Sequence, residues 1–468
     1  MILLSLLANN LYGSMETKYL PTKNFEWLSK KEVRKMTTEK ILNLPAQSKI
    51  GYAFEVDLIY PKKLHARDDQ FPLAPYNGTV SFKHLSPYNK KLLKKHHFRD
   101  YKAKRYTSKK LLATFFKRKK YVVLLDNLQY YLKRGMKLKK VRRVVKFTQE
   151  EFLKEFITLI TSLRSTAKTD FEVRLFKLFA NSTFGKFIGE KLFTSLFNII
   201  ISKKINFFSE NARNYIEIVL CSNEKKLREA CLGQHVSNFK IINNNLVAVM
   251  KKPNVIHMKK PLAVGFAILE LSKLFMYQSY DKFNQYFGPK NLDLCFSDTD
   301  SFLFNVKCSS LTKKLKSMEH MFDFSKYDKK HQLYDDSKCN SLFYFKDEMK
   351  GRSSIREFVG LRPKCYSMQV EDLKLKQISS KKVCKGLKRS SIKNHLAFEE
   401  YKNCLVNSTC YYKSFAHLKS KNHQISTSYQ KKIALSSMDT KRHILHCGIC
   451  TTALGSSLSK KCQKLHPI

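Results

Sequence analysis

The sequence predicts an α+β fold, and three observations predict it. Apolar residues alternate through GYAFEVDLIYP, residues 51–61, as in a half-buried strand closed by a proline. Helical periodicity runs from Thr148 to Phe184, with Glu150, Glu151 and Glu155 near its start where the helix dipole favours acids, and again through residues 261–285. Gly288-Pro289 then leads into a strand, a turn and a strand around residue 298.

Taken in order, residues 1–60 read as strands and turns, with Asn9-Asn10 turn-like. Residues 61–145 form a polar, basic stretch in which Pro72, Pro75, Asn77 and Gly78 mark loops. The helical region occupies 146–190, a second basic stretch 191–260, and the helix followed by the strand pair 261–372. The remainder, 373–468, is basic and mixed, with a helical stretch at Ile392–Leu405. There are no internal repeats and no long low-complexity linker.

A chain of 468 residues with 43% apolar content can bury a sizeable core. Its 88 Lys and Arg outnumber 38 Asp and Glu, and a net charge of +50 opposes compaction unless a polyanion neutralises it. The cations recur in short runs, KKLLKK at 90–95, KRKK at 117–120 and KLKKVRR at 137–143, interleaved with Tyr and Phe. That spread suits a long groove tracking a phosphate backbone, although any single run also fits a solvated helix face. The apolar opening MILLSLLA is far shorter than the ~20 residues of a spanning helix and has no charged leader, so the expectation is a soluble, intracellular protein with no membrane contact. A nuclear location stays open, although nothing in the sequence marks it. Twelve irregularly spaced cysteines argue for reduced thiols.

Three strings carry chemistry. In VRLFKLFANSTFGK the spacing puts Arg174, Lys177, Asn181 and Phe184 along one helical stripe ending at Gly185; it reads either as a cationic grip on a triphosphate beside a base and sugar, or as an amphipathic helix with a glycine cap. In FSDTDS, Asp298 and Asp300 are two apart, so an extended segment would point both carboxylates to one face, where they could share divalent cations; a plain hairpin turn is the alternative. In RPKCY, Lys364 and Tyr366 alternate on one strand face, which carries little information alone.

In this order KLFANSTFG, FSDTDS and KCY resemble the consecutive polymerase motifs of family B DNA polymerases, written KxxxNSxYG, YxDTDS and KxY. The flanks LAVGFAILELSKLFMY, EFVGLRPKCYS and CKGLKRSSIKNHLAFEEYKNCL are similar to the protein-primed branch, in particular the polymerases of Maverick/Polinton-type transposable elements and related viruses. The resemblance covers nearly the whole chain. It implies a right-hand polymerase core with an incomplete antiparallel palm sheet from 1–60 and 261–372, fingers at 146–190, basic inserts at 61–145 and 191–260, and a thumb and tail at 373–468. It further implies that Lys177 contacts the phosphates of an incoming dNTP, with Arg174 beside it, and that Asn181, Phe184 and Gly185 shape the pocket. Asp298 and Asp300 would be the catalytic carboxylates binding Mg²⁺ or Mn²⁺, in a reaction where two such ions lie ~3.5–4 Å apart. Lys364 and Tyr366 would hold the primer end, and the partners would be template-primer DNA and a terminal, priming protein.

Phe184 stands where the second string's family motif has Tyr, and the resemblance fails at one metal-ligating position. The family's first motif, in a string like DxNNLYG, supplies the other metal-binding Asp; here the string is Leu7-Ala8-Asn9-Asn10-Leu11-Tyr12-Gly13. Leucine cannot ligate a hard cation. Tyr12 remains as the sugar gate, and the backbone of Asn10 and Leu11 remains available to phosphates. Asp57 is a conceivable substitute ligand, although its strand reads as structural. With the motif at residue 7, an exonuclease region is expected to be absent. The activity implied is that of a DNA-directed DNA polymerase impaired by Leu7; an inactive DNA-binding relic and a basic RNA-associated structural protein are the alternatives. His443, His446, Cys447, Cys450, Cys462 and His466 have partly zinc-like spacing, but unligated thiols are the expectation.

Overall fold

The protein is described by a computed structural model covering residues 1–95, 109–188, 217–233, 235–252, 261–421 and 424–458. The chain divides into two compact units, one made of Met1–Phe184, Phe266–Lys413 and Ile433–Ile468, the other of Gly185–Gly265 and Ser414–Lys432.

The centre of the first unit is an antiparallel sheet with the strand order Leu292–Asp298, Ser301–Val306, Ile2–Ala8, Ser353–Arg362, Cys365–Asp372 and Ile378–Cys384. A short strand, Phe345–Asp347, pairs with the end of Ile2–Ala8 outside this order. The apolar string ILLSLLA takes the central place because both of its faces are covered: Leu4, Leu6 and Ala8 are buried on one side of the pleat and Ser5 on the other. Behind the sheet lies the helix Leu262–Phe287, whose Phe283 meets Phe302, Phe304 and Phe345 edge-on at ring-centroid distances of 6.2, 5.6 and 5.3 Å. Such aromatic contacts add to the burial of each ring and hold strand and helix in one register. Leu303 points the opposite way and packs with Ile355 and Met368.

The basic stretch 61–145 is more ordered than its loop-like composition predicts. A second sheet, ordered Leu20–Trp27, Lys137–Glu150, Ile50–Ile59 and Arg118–Leu124, draws two of its strands from that stretch, and its buried face carries Phe54, Val56, Val123 and Val144. The long strand Lys137–Glu150 also absorbs the first residues of the expected helix, which instead runs as two helices, Lys154–Thr166 and Asp170–Ile188. Asp57 is committed within this sheet: Arg142 donates to both of its oxygens at 2.8 and 2.7 Å, the Lys120 N–H donates at 2.9 Å, and the guanidinium holds its carboxyl down at about 2. It is no substitute metal ligand. Helices Arg389–His395 and Phe398–Val406 cover the other end of the large sheet through Ile392, Phe398, Tyr401 and Cys404.

In the second unit, strands Glu217–Cys221, Leu246–Lys251 and Val236–Asn243 form an antiparallel sheet, and helix Glu224–Leu232 packs Ala230 and Leu227 on Cys221 and Val249. Among the described residues no helix is long and apolar enough to cross a membrane, and no cysteine is in a disulfide. Cys447 and Cys450 lie in the loop of a hairpin, Arg442–Ile444 with Thr451–Ala453, where the Cys450 N–H donates to Cys447 Sγ at 3.3 Å. Cys462 and His466 lie outside the described residues.

One buried group works against the fold. Glu16 is fully buried, and neither of its carboxyl oxygens has a hydrogen-bond partner among the described residues. Burial pushes its pKa well above the usual glutamate range. The folded protein therefore keeps a proton that the unfolded chain releases, and stability falls as pH rises above that range. Glu16→Met is expected to raise stability at neutral pH by about 1–3 kcal/mol and to flatten this fall. Urea denaturation at pH 5 and pH 8 measures both effects; an unchanged slope between the two would contradict the assignment.

Candidate active site

The two aspartates stand at the tip of a hairpin, not on an extended segment. Asp298 ends one strand and pairs with Ser301 at the start of the next, leaving Thr299 and Asp300 as the loop. Thr299 has φ 62°, and the Asp300 N–H donates back to the Asp298 carbonyl at 2.7 Å. The carboxylates are thus brought together by a tight turn, where strand alternation would have served the same end by another route. Burial, then the charges of Asp298 and Glu348, raise the pKa of Asp300.

The neighbouring strand delivers the first motif to the same place. The Ala8 N–H donates to the Asp300 carbonyl at 2.8 Å, and Leu7 pairs with Ser301 on one side and with Lys346 on the other. The chain then turns at Asn10, which has φ 41° and whose side chain accepts from the Gly13 N–H at the start of helix Leu11–Glu16. Leu11 is buried in the core, so its backbone alone is available for contacts. Tyr12 faces the aspartates: burial, then Asp300 and Asp298, raise its pKa. Its ring stacks on Phe184 at 4.0 Å with the planes 22° apart.

Phe184 lies on helix Asp170–Ile188, which continues through Gly185, so this glycine is not a helix cap. Arg174, Lys177 and Asn181 are exposed along the same helix. Lys364 sits in the two-residue turn between Ser353–Arg362 and Cys365–Asp372 with φ 59°, not on the strand face expected for it. From there its Nζ reaches Asp298 Oδ2 at 3.0 Å. Tyr366, on the strand, packs against Phe296 and Phe358 at 4.9 and 5.8 Å, and burial followed by Asp298 and Glu348 raises its pKa. Asp298, Tyr12, Lys364 and Tyr366 line a cleft of about 2160 Å³ whose other walls include Lys117, Lys119 and Lys120.

Three further residues escaped the sequence reading. Arg164, on helix Lys154–Thr166, has a buried Nε without a hydrogen-bond partner among the described residues. Lys346 stands opposite Leu7, and Glu348 is held where its N–H donates to the Ser5 carbonyl at 2.9 Å. The string FKDEMK carries the last two, but only the strand register reveals what they face. Asn9 also ties the site together, donating from Nδ2 to Asp323 Oδ2 at 2.7 Å.

The donors present suit a divalent ion only in part. Asp298 and Asp300 are hard oxygen ligands, whereas the residue next to them across the strand pair is Leu7. Among the described residues no group of three or more His, Cys, Asp and Glu is arranged to hold a metal.

No protein-family model and no curated protein matches the chain. Its fold does match solved structures. Phi29 DNA polymerase complexed with primer-template DNA superposes with a TM-score of 0.51 at 12% identity over 92% of this chain and 58% of that one. The orthorhombic crystal form of Phi29 DNA polymerase gives 0.52 at 12% identity over 93% and 58%. This chain therefore spans 58% of the length of those polymerases and shares their mixed α/β fold.

The geometry at Thr299 can be tested directly. A β-branched residue at positive φ costs on the order of 1–2 kcal/mol, which glycine relieves at some expense in unfolded-state entropy. Thr299→Gly is expected to stabilise the protein by about 0.5–1 kcal/mol in thermal melts. A loss of stability would show that Thr299 makes contacts outweighing the strain.

Proposed function

We propose that the chain is the polymerase core of a family B, protein-primed type DNA polymerase, acting on template-primer DNA and dNTPs, and that Leu7 impairs its chemistry. One observation carries the reading: the stacked pair Tyr12–Phe184 beside the hairpin Asp298–Asp300 unites three strings spread over almost 300 residues of sequence. The Phi29 structures, solved with primer-template DNA and, in another crystal, with incoming nucleotides, support it at the level of fold. The similarity to Maverick/Polinton polymerases favours a mobile-element or viral origin and a terminal protein as primer.

In this reading the 3′ hydroxyl of a primer, or the hydroxyl of a priming protein, attacks the α-phosphate of a dNTP and pyrophosphate leaves. Tyr12 and Phe184 form an aromatic wall against the sugar, so a ribose 2′ hydroxyl meets the Tyr12 ring. Lys177, with Arg174 on the same helix, holds phosphates while Asn181 shapes the pocket, and Arg164 offers from the preceding helix a guanidinium whose buried Nε has no hydrogen-bond partner among the described residues. Lys364 and Tyr366 grip the primer end, and in the resting protein Lys364 neutralises Asp298. Mg²⁺ or Mn²⁺, held by Asp298 and Asp300, would neutralise the phosphates and favour the attacking alkoxide. With Leu7 on the neighbouring strand, one of the three carboxylates of that ligand set is missing.

The same residue favours a second reading, in which the chain binds DNA but no longer extends it. Primer extension with Mg²⁺ or Mn²⁺ separates the two. Leu7→Asp is expected to extend a primed template at least on the order of 10²-fold faster than the unaltered chain, and Asp300→Ala in that background to abolish extension. Equal extension by the unaltered chain would show that another group replaces the missing carboxylate. Silence from Leu7→Asp, with DNA binding intact, would favour the binding relic.

A further inference from the structure

Lys346 occupies a place that a lysine does not occupy without cost. It sits on Phe345–Asp347 directly opposite Leu7, and residues opposed across an antiparallel ladder project to the same face with Cβ atoms ~4.5–5.5 Å apart. The other partner of Leu7 is Ser301, next to Asp300, so the lysine stem rises from the sheet beside the aspartate hairpin. Lys346 is half-buried, and its ammonium has neither hydrogen bond nor ion pair among the described residues. The charges that act on it are Arg164, Asp323, Glu348 and Lys177, and burial with the two cations pulls its pKa below the usual lysine range.

The position is built, not incidental. Ser165 Oγ, next to Arg164, donates to the Cys339 carbonyl at 2.9 Å; the Asn340 N–H donates to Asp323 at 2.9 Å; and the Asn9 N–H donates to the Tyr344 carbonyl at 2.8 Å. The loop 339–346 is thereby tied to the helix that carries Arg164 and to the strand that carries Leu7. Arg164, on the helix tied to this loop, is a second cation there, with a buried Nε that has no hydrogen-bond partner among the described residues, and the exposed Lys177 adds a third positive charge that acts on Lys346. Neighbouring cations repel, buried donors without acceptors are costly, and Asp323 and Glu348 offset only part of this, so the cluster suits a polyanion as its partner.

We infer that Lys346 is a polyphosphate-binding residue, the sheet-borne member of a cradle with Arg164 and Lys177 that takes the triphosphate of a nucleotide. The inference rests on the reading of this site as a nucleotide site and adds a contact from the sheet face that Leu7 shares. Because the ammonium needs no metal to attract phosphate, the cradle functions even where Leu7 has removed a metal ligand.

The test is calorimetric titration of the full chain with inorganic tripolyphosphate, without metal, read as the difference between variants because a chain of charge +50 also binds polyanions nonspecifically. Lys346→Gln is expected to weaken binding about tenfold or more, Lys346→Arg to restore it to within a few-fold, and affinity for primed DNA to stay unchanged in both. The thermal midpoint of Lys346→Gln should hold or rise, since a desolvated cation is removed. Weakening by Lys177→Gln but not by Lys346→Gln would overturn the inference while leaving the proposed function standing. Weakening by Lys346→Gln with a lowered midpoint and no rescue by Lys346→Arg would make Lys346 structural and also overturn it. Indifference to both substitutions, with no affinity for primed DNA, would overturn the proposed function itself.

Discussion

The pairing of Leu7 with Ser301 on one side and Lys346 on the other decides what the site contains, because every group around it is placed by that register. A slip of one residue would turn Leu4, Leu6 and Ala8 out of the core and carry Leu7 into it. The slip is forbidden by the aromatic packing behind the sheet, where Phe302 and Phe304 are fully buried against Phe283. The scaffold around residue 7 is therefore intact with leucine in that place. A leucine is also a good strand residue, so under the proposed function its effect would fall on chemistry and spare the fold.

The electrostatics follow from this arrangement. Two aspartates on one tight turn repel, and the repulsion is met by Lys364 at 3.0 Å from Asp298, while burial raises the pKa of Asp300. On the neighbouring short strand the balance is different: burial, Arg164 and Lys177 outweigh Asp323 and Glu348 at Lys346. Under the proposed function, a nucleotide and its cations would complement this charge pattern, the phosphates lying by the lysines and arginine and the ions on the carboxylates.

Much of this was legible in the residues and some was not. FSDTDS and the stripe Arg174, Lys177, Asn181 and Phe184 stand out because local strings carry their chemistry. The strand, turn and strand around residue 298 were legible, but which of the two readings of FSDTDS holds was not, because periodicity says nothing about Thr299 adopting φ 62°, a backbone state rare for a β-branched residue. Lys364 was assigned to a strand for the same reason: its φ of 59° follows from the two-residue turn that Pro363 opens. The sheet in the basic stretch was missed because lysines on exposed strand faces read as loop, although KLKKVRRVVKF alternates. Lys346 and Glu348 were invisible because their meaning lies in pairing with residues more than 300 positions away.

Manganese binding tests the account's central claim, that one hydrophobic side chain leaves an otherwise assembled metal–nucleotide site short of a ligand. Electron paramagnetic resonance titration of free Mn²⁺ against the full chain and against Leu7→Asp, each with primed DNA, measures it without requiring turnover. The account predicts that Leu7→Asp binds Mn²⁺ at least about tenfold more tightly than the unaltered chain, and that Asp300→Ala removes the gain. Superimposable titrations of the unaltered chain and Leu7→Asp would contradict it, because the position of Leu7 would then have no access to the ions.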